Sequence, residues 1–145
     1  MKKQHLTAFF LEALLLVVIF VAVILVLTGV FGAARAQSAA ARRLTTAVTL
    51  AANAAEAVSA SDSLEQAAAL LDEGGNVTLT GGRCEAAYDA EGRPCSDGGA
   101  LRVEIRWEAA PENAALVSSR IRVLGAEGQE LYALETARFV KEAAA

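Results

Sequence analysis

One carboxylate, Glu12, stands at the beginning of a long apolar stretch of the sequence. It follows Leu11 and precedes twenty-two uncharged residues, Ala13 to Ala34. A charged side chain at the centre of a membrane-spanning helix costs about 2.5 to 3.5 kcal/mol on insertion scales, and residues of this kind usually have a function. Glu12 is therefore a candidate functional residue, and the rest of the sequence has to indicate which function.

The two cysteines, Cys84 and Cys95, are the other residues whose chemistry stands out. They flank a turn-like stretch with glycine and proline, which favours a disulfide across a hairpin if the domain lies outside the cytoplasm. Two unbonded thiols are the alternative. A zinc site needs four ligands, and the single histidine, His5, lies far from both cysteines. The sequence indicates no metal and no cofactor.

The remaining polar residues indicate a structural or binding protein, not an enzyme. The serines have no histidine partner in the soluble part, because His5 is the only histidine. Residues 44–145 carry sixteen acidic and eight basic side chains, whereas residues 1–43 carry one acid and five bases. This acidic balance argues against nucleic-acid binding, which requires clustered Lys and Arg, although a local basic strip is not excluded by it.

The apolar stretch is long enough to cross a membrane. As a helix, residues 13–34 would extend about 33 Å, which matches a hydrocarbon core of about 30 Å. One alternative is a plain single-pass anchor that carries an extracellular binding domain. The other is a signal peptide that is cleaved before Gln37, after the small residues Ala34 and Ala36, although an ordinary signal peptide has a shorter apolar region and no acid at its head.

The helix is predicted to continue beyond the apolar stretch. Residues 35–60 are rich in alanine and contain no proline or glycine, so we expect a single helix from Phe9 to about Ala60. Its second half is amphipathic. The predicted buried face of this half contains Leu44, Val48, Ala51, Ala55 and Val58.

A short second helix and a sheet are predicted for the rest of the chain. Asp62, with Glu65 three residues later, is typical of a helix start, and Gly74 ends the helix. Residues 101–108 alternate apolar and charged side chains, which indicates a strand with one buried face and one solvated, charged face. We expect an antiparallel meander of about four strands, covered by the second half of the long helix.

These elements predict an α+β protein with four segments. Residues 1–7 form a basic leader and residues 8–34 a transmembrane helix. Residues 35–60 continue that helix as its amphipathic half. Residues 61–145 form a head that contains the short helix and the antiparallel sheet.

Together these features resemble type IV pilins and the related pseudopilins. The resemblance lies in the motif FFLEALLLVV after a short basic leader, and in a long helix that precedes a small antiparallel sheet. It implies a pilin-like fold and a structural role in a type IV pilus, a type II secretion pseudopilus or a DNA-uptake pseudopilus. The implied partners are other pilin or pseudopilin subunits, a prepilin peptidase and membrane lipid.

The resemblance also implies how the N-terminus is processed. In that family a peptidase removes the leader and methylates the new terminus, and a glutamate is the fifth residue of the mature chain. Glu12 matches this glutamate, so Ala8 would be the first mature residue and Thr7 the last leader residue. The family usually has glycine at the position of Thr7, and a cut one residue later would place Phe9 first. The implied role of Glu12 is to set the register between subunits.

The resemblance implies a topology as well. The leader stays in the cytoplasm, in agreement with Lys2 and Lys3, and the sheet lies outside, where a disulfide between Cys84 and Cys95 would persist. The protein would be a single-pass membrane protein and, after assembly, part of a surface filament or pseudopilus.

Overall fold

The computed structural model describes residues 2–109 and 116–139. The α+β class and the long N-terminal helix agree with the sequence-based expectation. The elements are helices α1 (Lys2–Ser59) and α2 (Leu64–Leu71), and strands β1 (Val77–Thr80), β2 (Arg83–Tyr88), β3 (Leu101–Ala109), β4 (Leu116–Gly125) and β5 (Glu130–Phe139). The chain divides into two compact units, an N-terminal unit of Met1–Ala41 and a C-terminal unit of Arg42–Ala145.

The N-terminal unit contains the apolar part of α1. Every side chain from residue 14 to residue 41 is exposed. Judged by length and composition, α1 could cross a membrane, and its most apolar window contains no buried residue. This part of the helix therefore has no cover within its own unit.

The C-terminal unit is built on one antiparallel sheet in the strand order β1-β2-β3-β4-β5. Its five strands are one more than expected. β1 and β2 are joined by Gly81 and Gly82, with φ of 57° and 79°. A two-residue hairpin turn of this kind requires positive φ, which glycine adopts without a steric penalty.

Both helices of the C-terminal unit pack against one face of the sheet, which we call the inner face. The sheet contributes large side chains, and the largest fully buried ones include Val103, Ile105, Ile121 and Val123. The end of α1 contributes mostly alanine. Its buried residues are Ala47, Leu50, Ala51, Ala54, Ala57 and Val58.

The predicted buried face of α1 is therefore partly wrong. Ala51 and Val58 are buried as expected, but Leu44 and Val48 are 50% and 39% exposed. Alanine occupies almost every side of this helix, so two neighbouring stripes fit the same spacing. The stripe that packs is the one with the smaller side chains, which complement the large residues of the sheet.

The start of α2 also differs from the expectation. Ser63, not Asp62, is the N-cap, and its side chain accepts a hydrogen bond from the backbone N–H of Gln66. The side chain of Gln66 in turn accepts from the backbone N–H of Asp62, at 2.8 Å. This arrangement is similar to a capping box one residue later than predicted, but Gln66 binds the N–H of the residue before the N-cap instead of the N-cap itself.

Asp62 has a different partner, which connects β5 to the end of α1. Arg138 Nη2 donates to Asp62 Oδ1 at 3.0 Å, and Nη1 donates to the carbonyl oxygen of Ser59 at 3.3 Å. The same guanidinium lies 5.6 Å from the centre of the Trp107 ring, in a cation–π contact. Arg138 thus holds the α1–α2 junction against the sheet.

The alanine face can be tested with two substitutions on the same helix. We expect Ala54→Leu to destabilise the protein by about 1–3 kcal/mol, because a fully buried alanine has no room for the added carbon atoms. Ala52→Leu, on the exposed side, should change stability by less than about 0.5 kcal/mol. Chemical unfolding of the full chain in detergent, followed by Trp107 fluorescence, measures both. Equal effects of the two substitutions would contradict the orientation of α1 on the sheet.

Candidate functional site

Glu12 is exposed on α1, among the largest apolar side chains of the chain. α1 begins at Lys2, so Glu12 lies well inside the helix, where the partial positive charge of the helix start has faded. The predicted cleavage region, Thr7 to Phe9, belongs to the same uninterrupted helix. Removal of residues 1–7 would bring Glu12 close to a new helix start.

The surroundings of Glu12 define what this carboxylate can do. Phe9, Phe10 and Leu11 precede it and are each about two-thirds exposed, at 67%, 65% and 67%. An apolar surface of this extent is stable only when lipid or other apolar helices cover it. Glu12 is therefore a single acid within a surface that needs a cover.

A second cluster of charges lies on the outer face of the sheet, the side opposite α1 and α2. Glu104 is at its centre, with only 2% of its side chain exposed. Arg83 Nε lies 2.8 Å from Glu104 Oε1, and Arg106 Nη2 lies 3.4 Å from the same oxygen. Arg122 Nη2 donates to Glu104 Oε2. We call Glu104 and these three arginines the Glu104 cluster.

The pKa of Glu104 reflects two opposing effects. Burial acts to raise the pKa, while the hydrogen bond from Arg122 and the charges of Arg122, Arg83 and Arg106 lower it. The arginines prevail, so the pKa lies below its usual value and the carboxylate stays ionised. The arginines are 31–44% exposed, so their long side chains shield Glu104 from water while their own charges remain partly solvated.

Burial of Glu104 corrects the expectation that the acids of the strands form a solvated face. Glu104 does point away from α1, but the arginines cover it. Strand register places Arg122 directly opposite Glu104, and Glu85 opposite it on the other side. The alternation of residues 101–108 identified the outer face, but only the register reveals which cations meet above one acid.

The two cysteines lie in different places. Cys84 is buried in β2, and Cys95 is half-buried in the segment between β2 and β3; both are free thiols. The backbone N–H of Cys95 bonds to the carbonyl oxygen of Ala87 at 3.1 Å. Ala87 is three residues from Cys84, about 10 Å along a strand, whereas a disulfide requires Cα atoms within about 7 Å. The structure does not bring the two cysteines together.

Comparisons with other proteins identify no relative from which a function could be inferred. No protein-family model matches the chain, and no curated protein or solved structure is significantly similar to it. Among the residues that the structure describes, no group of three or more His, Cys, Asp and Glu is arranged to hold a metal ion.

Replacement of the buried acid tests the Glu104 cluster. We expect Glu104→Gln to destabilise the protein by about 1–3 kcal/mol, because three guanidinium groups lose their shared carboxylate. This is less than the loss at a fully buried pair, since the arginines are partly exposed. Because the pKa of Glu104 is lowered, its contribution is present above about pH 4.3 and is lost as the pH falls further. Stability curves of both proteins should converge in acid.

An exposed ion pair on the same face provides the control for this substitution. Arg120 and Glu135 are joined at 2.5 Å, with side chains 55% and 68% exposed. Glu135→Gln should therefore change stability by less than about 1 kcal/mol. If Glu135→Gln were as damaging as Glu104→Gln, the special position of Glu104 would be refuted.

Thiol labelling tests the state of the cysteines. Burial, followed by the charge of Glu85, raises the pKa of Cys84 to about 11, so at mildly alkaline pH this residue is almost entirely a thiol. We expect iodoacetamide to label Cys95 without prior reduction and to label Cys84 only after unfolding. Peptide mass spectrometry measures each site. A protein that takes up no label until it is reduced would contradict free thiols and support the disulfide.

Proposed function

We propose that this protein is a structural subunit of a filament of the type IV pilin class, a pilus or a pseudopilus, that assembles through its N-terminal helix. The observation that carries the proposal is one acid, Glu12, near the start of the apolar stretch of α1, whose surface has no cover in its own unit. A compact sheet unit follows this helix in the chain. The resemblance to pilins and pseudopilins supports the same conclusion.

Assembly would cover the apolar surface of α1 with the same segment of neighbouring subunits. Before assembly, lipid would cover it. Helices in such a bundle can slide along one another, because apolar contacts alone do not define a register. A charge pair does define one, even where its net contribution to stability is small, because any shift leaves a charge without its partner.

Glu12 would form this pair with the terminal ammonium of a neighbouring subunit. Removal of residues 1–7 creates that ammonium on Ala8, four residues before Glu12 in the sequence. Two opposite charges attract strongly where water is excluded, and each would be costly alone. Cleavage and assembly would thus be linked, because in an uncut chain the basic leader precedes Ala8, which then has no terminal ammonium.

The proposal also defines the membrane topology of the protein. Lys2 and Lys3 would remain in the cytoplasm until cleavage, and the C-terminal unit would lie outside it. Arg35, Arg42 and Arg43 would then follow the membrane span on its outer side. The numbers of Lys and Arg on the two sides of a membrane span bias its orientation but do not determine it.

Substitution of Glu12 tests the proposal in the organism that encodes the protein. We expect Glu12→Ala to reduce incorporation into sheared surface filaments or a cross-linked pseudopilus by about tenfold or more, because the neighbour's ammonium loses its partner. The membrane level of the subunit should not change. Glu56→Ala, at an exposed acid near the other end of α1, is the matched control and should assemble normally.

The intact mass of the mature protein separates this proposal from the other functions. A chain that starts at Ala8 or Phe9 supports processing by a prepilin peptidase. Unchanged incorporation of Glu12→Ala would instead favour a single-pass anchor that carries a binding domain. A chain that starts at Gln37 would mean a secreted domain without an anchor.

A further inference from the structure

An open cleft lies beside the Glu104 cluster on the outer face of the sheet. Its volume is about 530 Å³, within the range of about 300–1,000 Å³ for pockets that hold small ligands. The β1–β2 turn forms one wall. The other walls are formed by Arg83, Glu85, Arg106, Trp107 and Glu108.

Arg106 is the group in this cleft with unused binding capacity. A guanidinium has five N–H donors, and among the described residues the one polar contact of Arg106 is the 3.4 Å contact of Nη2 with Glu104. Arg83 has less capacity, because its Nε and Nη1 are bound to Glu104 and Glu85. Among the described residues, Nη2 of Arg83 has no hydrogen-bond partner. The two arginines are register partners on neighbouring strands, so their free donors line one cleft.

Glu104 explains why these donors are held in place. A carboxylate buried under three arginines contributes little net stability, because its desolvation offsets most of the attraction. It does restrict the arginine side chains, which otherwise lose much conformational freedom on binding a ligand. Glu104 is therefore a positioning residue for Arg83 and Arg106, and the cleft is preorganised for an acceptor.

The charge around the cleft selects among acceptors. The lining contains two arginines and two acids, Glu85 and Glu108, so it is close to neutral. Glu104 beneath it is shared with Arg122. A phosphate or a polyanion would bring more negative charge than this site can offset. A single carboxylate matches the free fork of Arg106, which can bind it through two parallel hydrogen bonds.

We propose that this cleft binds a peptide segment through one carboxylate, which is held by Arg106 with Arg83 beside it. The glycine turn would contact the apolar part of the peptide, and Glu108 would accept from a peptide N–H. The proposal does not depend on filament assembly, because every residue that it uses belongs to the C-terminal unit. Glu12 variants should bind the peptide normally.

The ring of Trp107 lies on the inner face, against Arg138, so binding is instead followed by NMR through the side-chain N–H signals of Arg83 and Arg106. The full chain in detergent is titrated with acetyl-trialanine that has a free carboxylate, and with the same peptide ending in an amide. We expect a saturable shift of these arginine signals with the free acid, and an affinity at least about tenfold weaker for the amide. Inorganic phosphate, as the second probe, should bind more weakly than the free acid.

Three arginine variants separate recognition from general charge. Arg106→Gln should weaken binding of the free acid at least about tenfold, whereas Arg106→Lys, which keeps the charge but not the planar fork, should have a smaller effect. Arg102→Gln is the control, because Arg102 is exposed on the same strand and face but does not line the cleft. It should bind like the unchanged protein.

The proposal is overturned by any of four results. These are no saturable change at millimolar free acid, equal binding of acid and amide, tighter binding of phosphate, and normal binding by Arg106→Gln. Thermal unfolding of each variant shows that it is folded before its binding is compared. If Arg106→Gln is unfolded, the comparison of acid with amide on the unchanged protein still decides.

Discussion

Packing of an alanine face against a sheet of large side chains is the constraint on which the C-terminal unit depends. Ala47, Ala51 and Ala54 are fully buried, opposite strand residues such as Ile105 and Ile121. Small helix residues leave room for the long apolar side chains of the sheet. The space between α1 and the sheet is therefore filled mainly by side chains of the sheet. Interiors pack at nearly crystalline density, and larger residues on both surfaces would not fit. The position of α1 on the sheet follows from this match of sizes.

Covering one face of the sheet determines how the other face must be built. In the described part of this unit the end of α1 and α2 both pack on the inner face, so neither helix covers the outer face. Alternating Arg and Glu fit this environment, because arginine stems cover apolar backbone while their charged ends stay in water. Cross-strand neighbours include like charges, such as Arg83 opposite Arg106. Glu104, beneath both, compensates for their repulsion, and its burial is a consequence of this arrangement.

The sequence was sufficient for the order of long helix, short helix and antiparallel sheet, but not for the number of strands or for contacts that depend on register or rotation. The spacing of apolar residues and the positions of glycines indicated the long helix, the short helix and the charged strand face. They could not decide which stripe of an alanine-rich helix is buried, because Leu44 and Val48 fit the same spacing as Ala47 and Ala54. A capping residue was expected at Asp62, yet Ser63 has the same ability and Asp62 has a distant partner in Arg138. Glu12 stood out from its local context alone, whereas the cleft required the pairing of three strands.

The two units differ in how their apolar surfaces are covered, and the proposed role of Glu12 depends on this difference. In the C-terminal unit the sheet and the end of α1 cover each other. In the N-terminal unit the apolar part of α1 is exposed on every side, so its cover must come from outside this unit. Lipid alone would suffice for the apolar residues, but it offers nothing to a carboxylate beyond retreat toward the interface. In the proposed assembly, a neighbouring helix with a cation at its start would offer a partner. A subunit that only needed an anchor would gain nothing from an acid at this position, whereas one that must align with copies of itself would.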